Sequence, residues 1–300
     1  MRIGVVILPE HPWREAAPLW RAAEELGLAH AWTYDHLVWG GLPDAPWHST
    51  VATLAAAAAV TERVRLGTWV SSPNFRHPLL LAKDAVTIDD VSGGRFLLGL
   101  GAGGDRDSEI LGARHTRAER TRRLQEFVPL LDRLLTQEHV DHAGEFFTTV
   151  DARGLPGCVQ QPRVPFVVAA NGPRAMRLAA RYGEGWVTTG AAAGPAGLGD
   201  DPSGEVVEGW WAGLAQSAAR MDEHEDELGR GTAGRPRLDR YLSLDSAGAP
   251  TLTGLGLAEE RLGRAEELGF TDVVVHWPRP QPPYAGNLAV LEELAARVRT

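Results

Sequence analysis

Asp35 and His36 stand side by side where an apolar run, residues 29–34, gives way to polar residues. A carboxylate and an imidazole at the end of a buried strand can share proton transfer, because histidine titrates near neutral pH and a neighbouring acid moves that titration. The same pair can also do no more than cap the strand and bond the loop backbone. Three glycine- or hydroxyl-bearing turns accompany it. Gly99, Gly101 and Gly104 match G-x-G-x-x-G directly after an apolar run. The dinucleotide-fold reading fails on context: Asp105-Arg106-Asp107 stands where a helix should open, and no acid ends a next strand about 20 residues on. What survives is backbone N–H groups of Gly101, Ala102 and Gly103 left free to approach a phosphate or a ring edge. Asn171-Gly172-Pro173 and Thr188-Thr189-Gly190 offer an amide, hydroxyls and free N–H groups suited to an anion, or serve as ordinary helix caps.

Aromatic residues add a second signal. Of ten tryptophans, Trp32, Trp39, Trp47, Trp69, Trp186 and Trp277 fall in strands or at strand ends. That distribution predicts an aromatic-lined pocket, with Trp39, Trp47 and His276 as substrate-facing candidates, although core packing accounts for several of them. His36 and His276 end strands and His11, His48 and His77 lie in loops, but H-x-H and H-E-x-x-H spacings are absent, so no metal centre is expected. No G-x-S-x-G nucleophile turn occurs.

These groups need a scaffold that brings distant turns together. Ala265-Glu266-Glu267-Leu268-Gly269 repeats the pattern of Ala23-Glu24-Glu25-Leu26-Gly27, and Leu178 to Gly183 is a third copy. Helix, glycine, then a short apolar run is the signature of an α-to-β connection. Strands are expected over 2–8, 29–34, 64–70, 96–100, 165–169, 185–188, 237–243 and 272–276. Helices are expected over 13–26, 49–61, 79–91, 118–135, 173–182, 205–228, 258–268 and 288–298. Eight strand-then-helix units predict an α/β fold, a closed (β/α)8 TIM barrel forming one domain over 1–300, with a doubly wound open sheet as the competitor. Residues 139–150 read as a hairpin excursion before the fifth strand, and the glycine- and proline-rich stretch 190–204 as a flexible rim loop after the sixth.

Composition narrows the class. The 300 residues, 44% apolar and 23% charged, are those of an ordinary globular protein. A net charge of −9 argues against nucleic acid and gives no attraction to anionic lipid, leaving a small molecule as the expected partner. The single cysteine, Cys158, fits a reducing cytoplasm, and neither a signal peptide nor a membrane span is expected.

Taken together, Asp35-His36, Arg65 to Thr68 with Pro73 to Pro78, Ser92 to Gly103, and Ala170-Asn171-Gly172-Pro173 resemble, in order and spacing, the bacterial luciferase-like flavin- and deazaflavin-dependent oxidoreductases. The resemblance implies a (β/α)8 barrel whose rim binds the deazaflavin coenzyme F420 or FMN, often in a homodimer. It assigns Trp69-Val70 to a non-prolyl cis peptide behind the central ring and Ser72 to the ring's polar edge. Gly101, Gly103, Thr189 and Gly190 would hold the phosphate end, with Ala102, Asn171 and Gly172 beside them. His36 would move the substrate proton while hydride passes to or from the cofactor, with Asp35 orienting or tuning it. The alternatives are an FMN-dependent monooxygenase and a non-catalytic ligand-binding relative. Where the deazaflavin sugar-phosphate dehydrogenases carry a catalytic glutamate after the glycine turn, this chain has Gly104 and Asp105.

Overall fold

Strands made of unbroken apolar runs bury both faces only in a parallel sheet covered by helices. The computed structural model, which describes residues 1–190 and 203–298, arranges them in that way. Eight parallel strands close a barrel in the order β1 (Arg2–Val6), β10 (Asp272–His276), β9 (Asp239–Ser243), β8 (Gly185–Thr188), β7 (Phe166–Ala169), β4 (Phe96–Leu100), β3 (Arg65–Thr68) and β2 (His30–Thr33). The fold is a TIM barrel, and the open sheet is excluded by the β1–β2 pairing that completes the ring. The excursion is an antiparallel ribbon of β5 (His139–Ala143) and β6 (Thr148–Arg153).

The outer layer holds α1 (Trp13–Glu25), α2 (Thr50–Val60), α3 (Pro78–Val91), α5 (Arg117–Thr136), α6 (Pro173–Tyr182), α7 (Gly204–Glu227), α8 (Leu255–Glu267) and α9 (Leu288–Val298). Left-handed Gly27 and Gly269 close α1 and α8 as expected, whereas Gly183 after α6 keeps a negative φ and stays extended. A ninth, five-residue helix, α4 (Arg106–Ile110), opens directly after the glycine turn of β4, where the sequence reading had placed none. The stretch expected as a flexible rim loop falls almost entirely on residues 191–202, outside the described residues.

Alternation along the strands separates two cores. Val5, Ala31, Leu66, Val168, Trp186 and Val273 face the helices. Val6, Trp32, Trp69, Val167, Tyr241 and Val274 fill the barrel axis. This redistributes the tryptophans: Trp186 stacks on Phe270 in the outer layer, Trp277 packs against that layer, and Trp32 is wholly buried inside the barrel. Trp39 and Trp47 are the members of the set that lie together at the rim.

A polar column closes the other end of the axis. Indole Nε1 only donates, so the 2.6 Å contact from Trp32 Nε1 makes His30 Nδ1 an acceptor, and His30 Nε2–H donates to Asp272 Oδ1 at 3.0 Å. Arg2 bonds both Asp272 oxygens, at 2.7 and 2.6 Å. Burial holds the His30 imidazole below the ordinary histidine range, outweighing the pull of Asp272. Unfolded, His30 binds a proton near pH 6.5; folded, it does so only at lower pH, so stability falls as pH drops below about 6.5. Thermal unfolding followed from pH 7 to pH 5 is expected to show that decline, and His30→Gln, which cannot titrate, to flatten it.

Candidate active site

The two members of the Asp35-His36 pair turn out to have different partners. The loop after β2 carries Asp35 inward, where it is 1% exposed. Its carboxylate accepts Ser71 Oγ–H at 2.6 Å and Arg76 Nη2–H and Nε–H at 2.6 and 3.1 Å. Burial alone would lower the Arg76 guanidinium, but the bond and charge of Asp35 raise it above the ordinary arginine value. His36, expected to be oriented by Asp35, is held instead by Asp107 of α4. Its Nδ1 lies 2.7 Å from Asp107 Oδ2, and Asp107 Oδ1 accepts the Leu37 N–H at 2.7 Å. A carboxylate accepts, so Nδ1 donates, and the neutral ring is left with its lone pair on Nε2. His36 keeps a quarter of its side chain exposed while Asp107 is buried: a supported base with an open face.

The expected cofactor residues lie just past the carboxyl ends of four neighbouring strands, β3, β4, β7 and β8. The Trp69–Val70 peptide bond is cis. Beyond it Ser71 continues the ladder, its N–H donating to the Gly99 carbonyl at 2.8 Å and its carbonyl accepting the Gly101 N–H at 2.9 Å. Gly101 packs so closely on Val70 that a Cβ there would lie 2.6 Å from Val70 Cγ2. Gly103 has φ +65°, and a Cβ would lie 2.3 Å from Ser72 Oγ, so only glycine fits. Asn74 staples this turn, donating Nδ2–H to the Ala102 and Gly104 carbonyls, both at 2.8 Å. Its Oδ1 is buried with no protein partner, an acceptor available beside the turn.

Across the neighbouring strands, Thr188 Oγ1–H donates to Asn171 Oδ1 at 2.6 Å, Asn171 Nδ2–H to Thr189 Oγ1 at 3.3 Å, and Gly190 N–H to Thr188 Oγ1 at 3.0 Å. Gly172 directly precedes Pro173 at the start of α6. The Gly101 N–H, expected free for a phosphate, is spent on the Ser71 carbonyl and the Gly190 N–H on Thr188 Oγ1, so these two glycines offer a ligand close backbone approach in an uncharged cradle rather than a donor.

The opposite arc, from β2, β10 and β9, is aromatic. Trp39 stacks near Trp47 and Tyr284 and meets Tyr34 edge-on. His276, expected to face substrate, is 3% exposed and sits beneath this cluster. Its Nδ1 is 2.7 Å from Asp245 Oδ2, its Nε2 is 2.7 Å from the Tyr34 hydroxyl, and its ring lies flat on Tyr284 with centroids 3.4 Å apart. Burial works against the charge of Asp245, but the bonds from His276 and from the Thr251 and His276 N–H groups hold its carboxyl below the usual range. Burial pushes the Tyr284 phenol up to about 12 and raises Tyr34 well above the ordinary tyrosine value. Tyr284 has φ +64°, a backbone state that costs a bulky residue about 1–3 kcal/mol and persists where surroundings enforce it.

Sequence reasoning missed Asp107, Asp245, Tyr34 and Tyr284. The signal for Asp107 was present as an Asp-Arg-Asp run after a glycine turn, a composition favoured in a helix's first turn. Among the described residues no group of three or more His, Cys, Asp or Glu side chains is placed to hold a metal, and no helix is long and apolar enough to cross a membrane.

A family model described as luciferase-like monooxygenase matches residues 1–201. An F420-dependent glucose-6-phosphate dehydrogenase of Amycolatopsis mediterranei (strain U-32) is 37% identical over 174 residues, 56% of this chain and 50% of that protein. The 4-hydroxyprotoasukamycin monooxygenase of Streptomyces nodosus subsp. asukaensis is 34% identical over 233 residues, 72% of this chain and 58% of that one. The chain thus spans about half the length of these curated relatives. Among solved structures, an F420-dependent secondary alcohol dehydrogenase in complex with an F420–acetone adduct shares the fold, with a TM-score of 0.78, 17% identity, and coverage of 100% of this chain and 99% of that one.

Proposed function

Because the chain belongs to the luciferase-like monooxygenase family, we propose that it is an F420-dependent oxidoreductase that moves a hydride between the deazaflavin and a small organic substrate, with His36 as acid/base. The observation that carries this reading is His36, whose Nδ1 is held by buried Asp107 while its other face is open. The cradle fits such a cofactor: Gly103 admits no side chain, Asn74 offers an unpaired buried acceptor, and Val70 backs Gly101. Trp69, Val70 and Ser72 would hold the ring, and Gly101, Ala102, Gly103, Asn171, Gly172, Thr189 and Gly190 the ribityl and phosphate end. When bound, the deazaflavin supplies a two-electron hydride carrier. His36 Nε2 takes the proton released by a substrate hydroxyl, and Asp107 stabilises the imidazolium that results. In the reverse direction the same atom returns it. Trp39 and Trp47 wall off the substrate side and exclude water.

A second reading is an FMN-dependent monooxygenase, favoured by the 34% identity to a monooxygenase over 72% of the chain. Incubating the protein separately with F420 and with FMN, then measuring which is retained and whether its spectrum responds to candidate substrates, separates the two. Retention of FMN alone overturns the first reading, and affinity for neither favours a non-catalytic relative.

The reading extends to a homodimer through α2. Leu54, Ala57 and Ala58 face the core and Val51 and Ala55 pack against it beside them, while Ala52 and Ala59, with half-buried Ala56 between, leave an apolar strip outward on a helix without a charged residue. Light scattering is expected to give twice the chain mass, falling to the monomer in Ala56→Arg; a monomeric wild-type protein removes this assignment.

A further inference from the structure

We propose that the amino-terminal face of the barrel, opposite the Asp35-His36 rim, carries a binding site for a phosphate dianion, free or on a small metabolite, built from Arg181, Arg230 and Arg235. Strand direction places it. Arg163 precedes β7, Gly183 and Glu184 join α6 to β8, and residues 228–238 join α7 to β9. β7, β8 and β9 are neighbours in the ring, so these three connections meet at the strands' amino ends. They line a cleft of about 500 Å3, a size that takes a small organic ligand.

Charge singles this cleft out. The chain carries a net charge of −9, yet five arginines and only two acids, Asp132 and Glu184, line the cleft. Arg163 takes both acids, through Nε at 2.7 Å and Nη1 at 3.0 Å. Arg237 is paired with Asp226 of α7. Among the described residues, Arg181, Arg230 and Arg235 have no carboxylate partner. Burial, and then the like charge of Arg235, hold the Arg230 guanidinium below its ordinary value. Glu225 and Glu184 pull the other way more weakly, and they are bonded to Arg240 and Arg163. Arginine stays protonated throughout the physiological range, so neighbouring cations stand here without a counter-ion. An anion relieves that arrangement.

Backbone carbonyls fix two of these guanidiniums without using them up. Arg230 donates Nε–H to the Ala180 carbonyl at 2.7 Å, Nη2–H to the Gly183 carbonyl at 2.5 Å and Nη1–H to the Pro236 carbonyl at 3.1 Å. A guanidinium has two N–H groups on each Nη, so one on each is left over. Arg235 donates Nη1–H to the Leu228 carbonyl at 2.7 Å and keeps its other N–H groups. Its backbone is held in a tight turn: the Arg235 N–H donates to the Thr232 carbonyl at 3.0 Å and the Gly231 N–H to the Arg235 carbonyl at 2.8 Å, with left-handed Gly231 and Gly234 on the way. Arg181 lies over the neighbouring Tyr182 ring, 5.4 Å from its centroid, and makes no hydrogen bond. Closing the end of α6 accounts for the carbonyl bonds of Arg230. It gives no reason for Arg181 and Arg235 to line the same cleft. A phosphate group, with two charges and three acceptor oxygens, takes N–H groups from several guanidiniums at once, whereas one carboxylate neutralises one of them.

The test uses the whole protein carrying 15N-arginine, its side-chain Nε–H signals followed by NMR at neutral pH and constant ionic strength. Ribose 5-phosphate, inorganic phosphate and ribose are the probes. The Arg230 and Arg235 signals, identified by substitution, are expected to shift and saturate with ribose 5-phosphate at a Kd below about 1 mM and to ignore ribose. Arg181→Gln and Arg235→Gln are each expected to raise that Kd about tenfold or more, through loss of a charged donor. Arg181 makes no bond to the rest of the chain, so its variant reads binding without a change in folding. Tighter binding of ribose 5-phosphate than of inorganic phosphate makes the ligand a phosphorylated metabolite, and equal affinity makes it the free ion. Shifts that follow ribose as well, that fail to saturate, or that keep wild-type affinity in both variants overturn the inference. Ribose 5-phosphate bound at the rim leaves these two signals unmoved, so an error in the cofactor assignment does not enter the result.

Discussion

An H36A variant is expected to lose about 10²–10⁴-fold in kcat/KM while still retaining cofactor. The imidazole contributes a proton-accepting atom, Nε2, whose availability depends on Asp107 fixing the proton on Nδ1 at 2.7 Å. None of the groups that form the cradle on β3, β4, β7 and β8 bonds His36, so alanine should leave cofactor affinity nearly unchanged. Asp107→Asn is expected to reproduce much of the loss, since an amide can offer Nδ1 a donor and leave the proton on Nε2, where the base needs its lone pair. Steady-state kinetics beside a cofactor titration reads both. Unaltered turnover in H36A removes the assigned role.

Asp35→Ala should behave in the opposite way, costing about 3 kcal/mol of folding stability. Asp35 is buried, and its removal strips Arg76, which is 22% exposed, of its ion-pair partner and leaves Ser71 Oγ without its acceptor. Denaturant unfolding gives the number directly. Any loss of activity in this variant should track the folded fraction. A protein as stable as wild type that has nonetheless lost turnover would return Asp35 to the chemistry beside His36.

The barrel was legible because its strands are short unbroken apolar runs separated by helices, and α1 and α8 close on left-handed glycines. The cis bond at Trp69–Val70 agrees with what the family resemblance implied, whereas the structural reason for glycine at 101 and 103 is crowding by Val70 and Ser72, which no sequence pattern reveals. Asp107 escaped because α4 spans five residues, too few for any apolar periodicity, and because its bond to His36 crosses 71 positions of chain. Adjacency in sequence suggested Asp35 instead, yet neighbouring residues leaving a strand point to different sides. The same alternation explains Trp186, which strand position alone assigns to a pocket and side-chain direction assigns to the helix layer. His276 was recognised as a strand-end residue, while its bonds to Asp245 and Tyr34, 31 and 242 positions away, exist only once the ring of strands is closed.

The five-residue helix α4 separates the acid's reach from the scaffold that supports the base. Asp107 hangs on a short clip between β4 and Thr116, whose Oγ1 caps α5 by accepting the Glu119 N–H, and the clip meets the β2 loop through Asp107 itself. Residues 105–116 carry none of the barrel's strand pairings, so a change of the acid at 107 leaves every strand register as it is. For an engineer the clip is a cassette: the barrel fixes where His36 stands, and the residue at position 107 decides what its Nδ1 is paired with.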